Sequence, residues 1–336
     1  MKNVVFLDDL KESDIRPEKI YNEYKDLLSR DVRKYFSDAS LLVKVSCPGC
    51  LSKNNETTFD KDGFNYCLCG KCGSYFVSPR PTDEALSDFY KNSSSGIFLR
   101  KTLLKNTLEA RSKNIFSYRT QWITGLVEEY QPNPKVFLDY GTRYPIFLNE
   151  LNSTGIFSSL FLLNPECYNK DELLPCHSKV VENNYILENE VDVFAAFEIV
   201  ERVFSPRELF RRAFKACRDG GLFVITSATS SGFEYQVLKE HSPNIIVPDR
   251  LNILALETLA EQIKTAGFEI IEVSTPGRLD VEIVKRTYEE NPDLPLDSFW
   301  RYIFNNRDAA ALHSFQEYLQ QFRLSSHVRI AAIKQK

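Results

Sequence analysis

Long apolar runs are missing from this chain: nothing approaches the roughly 18 uncharged hydrophobic residues that a membrane-crossing helix needs. The opening MKNVVFLDDLKESD turns acidic before a signal-peptide core could form. The expectation is a cytoplasmic protein with no membrane span. A basic excess is missing too. Lys plus Arg number 42 against 46 Asp plus Glu, a net charge of −4, so the cationic footprint of a dedicated nucleic-acid binder is absent. Glycine (13) and proline (15) are sparse enough to exclude collagen-like and low-complexity chains, and histidine (4) leaves few imidazoles for chemistry. No disulfide framework is visible either, because Cys67, Cys167, Cys176 and Cys217 are scattered. What remains is 336 residues, 43% hydrophobic and 26% charged, enough for two globular domains or one elaborated domain with an appendage.

Along the chain, residues 1–42 read as a helical arm. Ile20, Tyr24, Leu27, Leu28 and Tyr35 fall at helical spacing behind an Asp-x-x-Pro start. From 43 to 90 the pattern turns to short strand-like pieces, FNYCLC and SYFVSPRP, set around cysteine pairs. Residues 91–134 read as a largely helical linker carrying Leu103, Leu108, Ile115, Trp122 and Leu126 at apolar positions. Beyond Lys135, strands and helices alternate. KVFLDYG, SSLFLLN, DVFAAFE, GLFVITS, FEIIEVS and HVRIAAIK are the strand candidates of a mostly parallel, doubly wound sheet. SPRELFRRAFKACRDGG and ALETLAEQIKTAGF are amphipathic helices with Pro starts or Gly stops that would cover it. Residues 277–326 are too long for an empty loop and should hold further helices.

The remaining four cysteines form two knuckles, Cys47-Pro-Gly-Cys50 and Cys69-Gly-Lys-Cys72. That spacing lets four thiolates surround one tetrahedral Zn2+, in a module too small to build a core of its own. The competing reading is four unconnected thiols, with Cys67 as the one substitute ligand within reach. Acidic residues outnumber basic ones from Cys47 to Tyr90, the wrong sign for phosphate. A structural or substrate-facing role is expected for the ribbon, with no nucleic acid bound.

The stretch CGKCGSYFVSPRPTDEALSDFY, together with FAAFEIVERVFSPRELFRRAFKACRDGGLFVIT and RLNILALETLAEQIKTAGFEIIEVSTPGRLDVEIV, resembles the zinc-ribbon class I SAM-dependent methyltransferases of bacterial surface-polysaccharide and sugar modification. The resemblance implies an α/β, Rossmann-like, seven-stranded sheet over residues 135–336, with HVRIAAIK as its antiparallel strand. It also implies methyl transfer from SAM to a sugar or nucleotide-sugar acceptor.

At the site positions implied by that family, the chain departs from the pattern. Its D-x-G-x-G-x-G turn is here Asp139-Tyr-Gly141-Thr-Arg143-Tyr-Pro145, with two of the three glycines replaced. The acidic residue that would hold the ribose is Asn164, which lacks a carboxylate's charge. The Glu-His pair after the fourth strand is Glu201-Arg202, and the His of a later H-L-N segment is Arg250. Arginine cannot serve as a base near neutral pH. The cofactor candidates are therefore Asp139, Gly141, Arg143, Asn164 and Glu198. The catalytic candidates are Glu201 and His241, with Phe233 and Tyr235 either beside them or in the ordinary core. Against these stand plainer roles: Asp139 as a helix cap, Glu198 and Glu201 as solvated charges, Arg202 as a partner of either.

Three functions follow. In the first, SAM binding and methyl transfer are lost or severely weakened and the chain is a binding or scaffolding partner, of itself as a homo-oligomer or of an active methyltransferase relative. The alternative is an active enzyme with a divergent cofactor site. In the third, Arg143, Arg202 and Arg250 form an anion site for a phosphorylated or nucleotide-linked sugar.

Overall fold

The computed structural model describes residues 10–131, 133–141, 146–163, 178–181 and 187–335. Arg143 and Asn164 lie outside the described residues. The central sheet has seven strands: β1 (Val136–Tyr140), β2 (Ser159–Leu163), β3 (Ser178–Val181), β4 (Val191–Phe197), β5 (Cys217–Ala228), β6 (Phe268–Ser274) and β7 (His327–Lys334). Their order is β3-β2-β1-β4-β5-β7-β6. β1 to β5 run parallel to one another, whereas β7 inserts antiparallel between β5 and β6.

Strand β4 shows why this sheet forms. All seven residues of VDVFAAF are buried, as expected of a parallel strand covered on both faces. Successive side chains then divide between two cores. Leu138 and Phe194 join Phe210, Leu259 and Ile263 on one face; Phe137 and Val193 join Trp122, Ile123 and Phe147 on the other. The helix Pro206–Ala216 starts where Ser205 caps it by accepting from the Glu208 amide, with Pro at its first turn. The strand absent from the sequence reading is β3. It is short, flanks the sheet and exposes Lys179 and Val180, so it carries no buried-strand pattern.

The arm is a helix over Glu18–Tyr35, preceded by a single turn at Glu12–Ile15. It packs Tyr24, Leu28, Val32 and Phe36 against the ribbon and against Leu251 and Ile253. The ribbon sheet takes strands Asn55–Lys61, Phe64–Cys69 and Tyr75–Val77 and finishes with Asn252–Ile253, contributed from beyond β5. Arg80 locks this junction. Its fully buried guanidinium donates to the carbonyls of Val77, Phe204 and Leu251 and to Asn252 Oδ1. The 277–326 segment holds the expected helices, at Asp280–Glu290, Ser298–Asn306 and Ala309–Gln321. They close around Phe233 and Leu238. No helix among the described residues is long and apolar enough to cross a membrane.

Candidate functional site

Cys47, Cys50, Cys69 and Cys72 bring all four Sγ atoms within 4.8 Å of one another. The closest approaches are 3.6 Å for Cys47–Cys72 and 3.5 Å for Cys50–Cys69. A regular tetrahedron with metal–sulfur bonds of about 2.3 Å would have sulfurs about 3.8 Å apart, so the four thiols fit one divalent metal. The two knuckles share one local design. In each, the residue after the second cysteine donates to the first cysteine's carbonyl, Leu51 to Cys47 and Gly73 to Cys69, both at 2.9 Å. Those residues adopt left-handed backbone, φ 60° and 70°. Cys67 is buried in the adjoining strand outside the cluster, with Sγ 3.9 Å from Thr57 Oγ1. The knuckles are tied to the larger domain. Gln262 donates to the Pro48 and Gly49 carbonyls, and Ser230 donates to the Gly73 carbonyl.

The second locus is the switch point of the central sheet, between β1 and β4, where crossovers leave in opposite directions and ligands of open α/β sheets bind. Asp139 is fully buried near the end of β1. Gly141 follows with φ +65°, and a Cβ there would stand 2.7 Å from Ile199 Cδ1. Glycine is therefore required on both counts. Glu198, immediately after β4, also has positive φ, 55°, a strained state for a side-chain-bearing residue of the kind that collects at functional sites. Across this crevice lies Arg202. Its Nε donates to the Glu198 carbonyl at 2.7 Å and its Nη2 reaches the Gly141 carbonyl at 3.5 Å. The side chain is buried and holds main-chain carbonyls at the ends of both strands.

Beside the switch point opens a cavity of about 350 Å³. The ends of β4, β5 and β7 form its floor through Phe197, Glu198, Thr226 and His327, and the arm covers it with Arg16, Tyr21 and Tyr24. Glu198 Oε1 accepts from Thr226 Oγ1 at 2.8 Å and lies 3.5 Å from His327 Nδ1. Burial alone would raise the Glu198 carboxyl, but His327, Arg250 and Arg119 together hold it at about 2. Burial lowers His327 below the ordinary imidazole value, against the pull of Glu198. Arg119 lies over the Phe197 ring, 4.0 Å from its centroid.

Glu201 is buried behind the cavity, not solvated. Its carboxylate accepts from Ser227 Oγ and from the Ala228 amide and pairs with Arg250 at 3.3 Å. Burial pushes it up to about 7 despite Arg250. Arg250 is fixed from the ribbon side, because Tyr66 donates its hydroxyl to the Arg250 carbonyl at 2.7 Å. Burial also raises Glu234, another lining residue, to about 7; it accepts from Ser242 and from Asn244 Nδ2. Tyr235 lines the cavity, whereas Phe233 packs against Trp300 and Phe315. His241 sits in the helical turn Lys239–His241 beside Glu240, 37% exposed, and is not among the lining residues.

Thus Asp139, Gly141, Glu198, Glu201, Arg202 and Arg250 gather around the strand ends, and His241 does not join them. His327, Arg119 and Arg16 were not singled out from the sequence. One signal could have found His327: the antiparallel strand begins where the parallel strands end, so its first residue lies at the ligand-binding edge.

Residues 113–273 match the family model described as a methyltransferase domain. The strand order agrees with that match: the chain has a class I methyltransferase fold. No curated protein matches the sequence. Similar solved structures include phosphoethanolamine N-methyltransferase 2 of Haemonchus contortus in complex with phosphomonomethylethanolamine and S-adenosylhomocysteine. That pair is 16% identical with a TM-score of 0.47, covering 78% of this chain and 63% of that one, under two thirds of its length. A SAM-dependent methyltransferase of Thermotoga maritima is 14% identical with a TM-score of 0.43, covering 69% of this chain and 97% of that one. One of Mesorhizobium loti is 13% identical with a TM-score of 0.38, covering 65% and 100%.

Proposed function

We propose that this chain is a methyltransferase-fold protein in which SAM binding and methyl transfer are lost or severely weakened, and which works as a binding or scaffolding partner, of a second copy or of an active methyltransferase. The observation that carries the reading is Arg202 at the switch point. Of the charged groups of SAM only the carboxylate would gain from the fixed guanidinium there; the ammonium and sulfonium would meet like charge, and the carbonyls of Gly141 and Glu198 already face Arg202. Neither like-charge contact nor loss of acceptors is offset by any glycine beyond Gly141, since Arg143 and Pro145 stand where the motif needs further glycines. These residues do not fit SAM, and no step is derived through it.

Within the same reading, Cys47, Cys50, Cys69 and Cys72 hold one Zn2+ whose work is structural. It fixes the knuckles that brace Gln262 and Ser230. The same reading puts the protein's work in sugar or surface-polysaccharide modification, which the family resemblance supports, and in the cytoplasm.

Calorimetric titration of zinc-loaded protein with SAM and S-adenosylhomocysteine, with thermal shift alongside, tests the proposal. No binding up to millimolar ligand is expected; micromolar affinity would overturn it. One observation favours the alternative, an active transferase acting on a sugar or nucleotide-sugar. His327, which burial lowers below the ordinary imidazole value and which lies 3.5 Å from Glu198, is a base able to take a proton from a hydroxyl in the cavity.

A further inference from the structure

The cavity's chemistry points to a ligand that does not depend on SAM, resting on the reading above that the chain is a binding protein. Among the described residues its wall carries seven arginines against four carboxylates. The counter-charges of three of those arginines stand outside the wall. Glu12 pairs with Arg16, Glu201 with Arg250 and Glu272 with Arg329, each carboxylate almost wholly buried. The arginine of each pair lines the cavity and its carboxylate does not, so an occupant meets the positive member of each pair first.

The convergence is sharpest around Glu198. Arg119 comes from the helix Ser117–Tyr130, Arg250 from the loop ahead of the ribbon's last strand, and His327 from the start of β7. These elements are remote in sequence and bring two guanidinium groups and an imidazole to the stretch of cavity wall that Glu198 occupies, with the imidazole 3.5 Å from its carboxylate. Among the described residues Glu198 itself is held by one hydroxyl donor, Thr226, and by the His327 contact at 3.5 Å, and its side chain is 31% exposed. It is an internal anion that a ligand could displace. Aromatic faces at Tyr21, Trp122 and Tyr235 line the remaining volume, which is in the range of small-molecule pockets.

We propose that the cavity binds a small organic anion, whose phosphate or carboxylate group competes with the Glu198 side chain for Arg119, Arg250 and His327. The sign of the site follows from the arrangement. A ligand cation would be helped by Glu198 and harmed by its removal; a ligand anion is opposed by Glu198 and helped by its removal.

The test uses the full-length, zinc-loaded protein and two probes, inorganic pyrophosphate and succinate, titrated calorimetrically into wild type, Glu198→Gln and Arg119→Gln. Saturable binding of at least one probe to wild type is expected, tighter by about tenfold in Glu198→Gln and weaker by about tenfold in Arg119→Gln. Pyrophosphate alone would assign a phosphate ligand, succinate alone a carboxylate; either supports the site. Arg250 is left intact because its loss would strand the buried Glu201. Thermal melting of each variant checks that it is folded, and His327→Gln, expected to weaken binding severalfold, replaces any that is not. No binding of either probe to wild type and Glu198→Gln overturns the proposal, as does weaker anion binding in Glu198→Gln. The SAM titration is a separate readout. Micromolar SAM with the expected anion pattern would refute the loss of SAM use and leave the anion site standing, whereas silence toward both would refute the anion site alone.

Discussion

The cysteine cluster and the cavity both gather reactive side chains, and they are assembled in opposite ways. The cluster is local: its ligands lie between Cys47 and Cys72, and each knuckle is shaped by its own turn. The cavity is remote, joining Arg16 of the arm to His327 of the last strand through Arg119, Glu198 and Arg250. A local site needs only the right residues at the right spacing. A remote one needs the whole fold, and every member rests on partners elsewhere. The two are linked through the strand Tyr75–Val77, which pairs with Asn252–Ile253 just after Arg250.

If the four cysteines hold the proposed Zn2+, removing it should have the largest effect. Structural zinc in small modules supplies on the order of 10 kcal/mol, comparable to the whole stability of a domain. Chelation, or Cys69→Ser, should therefore unfold the ribbon and lower the melting temperature, followed by circular dichroism and metal analysis. If the comparison holds, the anion site should fail with it, because Arg250 loses its ribbon support at Tyr66. Retention of a well-folded ribbon without metal would break the link.

Arg80→Ala comes next. It removes four hydrogen bonds from a fully buried guanidinium and leaves carbonyls of Val77, Phe204 and Leu251 with a lost donor. At 1.5–3 kcal/mol for a bond to a charged group, with overlap between them, a loss of about 4 kcal/mol is expected in urea denaturation. The metal content should stay at wild-type level, since the four hydrogen bonds of Arg80 go to three carbonyls and Asn252 and none to a cysteine.

This contrast also explains what could be read from the sequence. The cysteine pairs were legible because their chemistry is written in short spacing. Strands such as β4 and β7 were legible because VDVFAAF and HVRIAAIK are apolar enough to stand out. β3 was not, because four half-exposed residues at a sheet edge need little hydrophobicity. The motif that Asp139 and Gly141 keep is enough to put them at the end of β1, and the order of the chain is enough to put Glu201 just after β4. The pairing of Glu201 with Arg250, and the turn of Arg202 toward two carbonyls, are tertiary facts with no signature in spacing. The bias toward His241 followed from its neighbourhood along the chain, whereas the imidazole that faces the cavity starts the strand farthest along it.

The cavity carries a pH dependence of its own. Burial raises Glu234 from 4.5 to about 7. Below pH 4.5 both folded and unfolded chains hold this proton and no stability is lost. As pH rises toward 7 the unfolded chain releases it first, so stability falls, by roughly 3 kcal/mol in total before levelling above pH 7. Glu201, raised to about 7 in the same direction, adds to the slope. The melting temperature should thus decline from pH 5 to 7.5, and Glu234→Gln should remove about half of that decline. An unchanged slope in Glu234→Gln would mean that Asn244 and Ser242 keep the carboxylate ionised in the fold.

The smallest expected effect on stability belongs to Arg202→Ala, and it bears most directly on function. One of the two carbonyl contacts is short, 2.7 Å, and the other is at the limit of a hydrogen bond, 3.5 Å. Their loss should cost about 1–2 kcal/mol, because the freed carbonyls at the strand ends can be satisfied by water entering the opened crevice. The same change removes a fixed cation and returns two acceptors to the switch point. If Arg202 is what keeps SAM out, S-adenosylhomocysteine should bind Arg202→Ala measurably when wild type does not, and adding Arg143→Gly and Pro145→Gly should strengthen it further. If Arg202→Ala folds and still binds nothing, the block lies elsewhere in the crevice. The anion titration then separates the two sites: Arg202 holds carbonyls and is absent from the Glu198 cation group, so anion affinity in Arg202→Ala should stay within about twofold of wild type. A collapse of anion binding in that variant would show that crevice and cavity are one site.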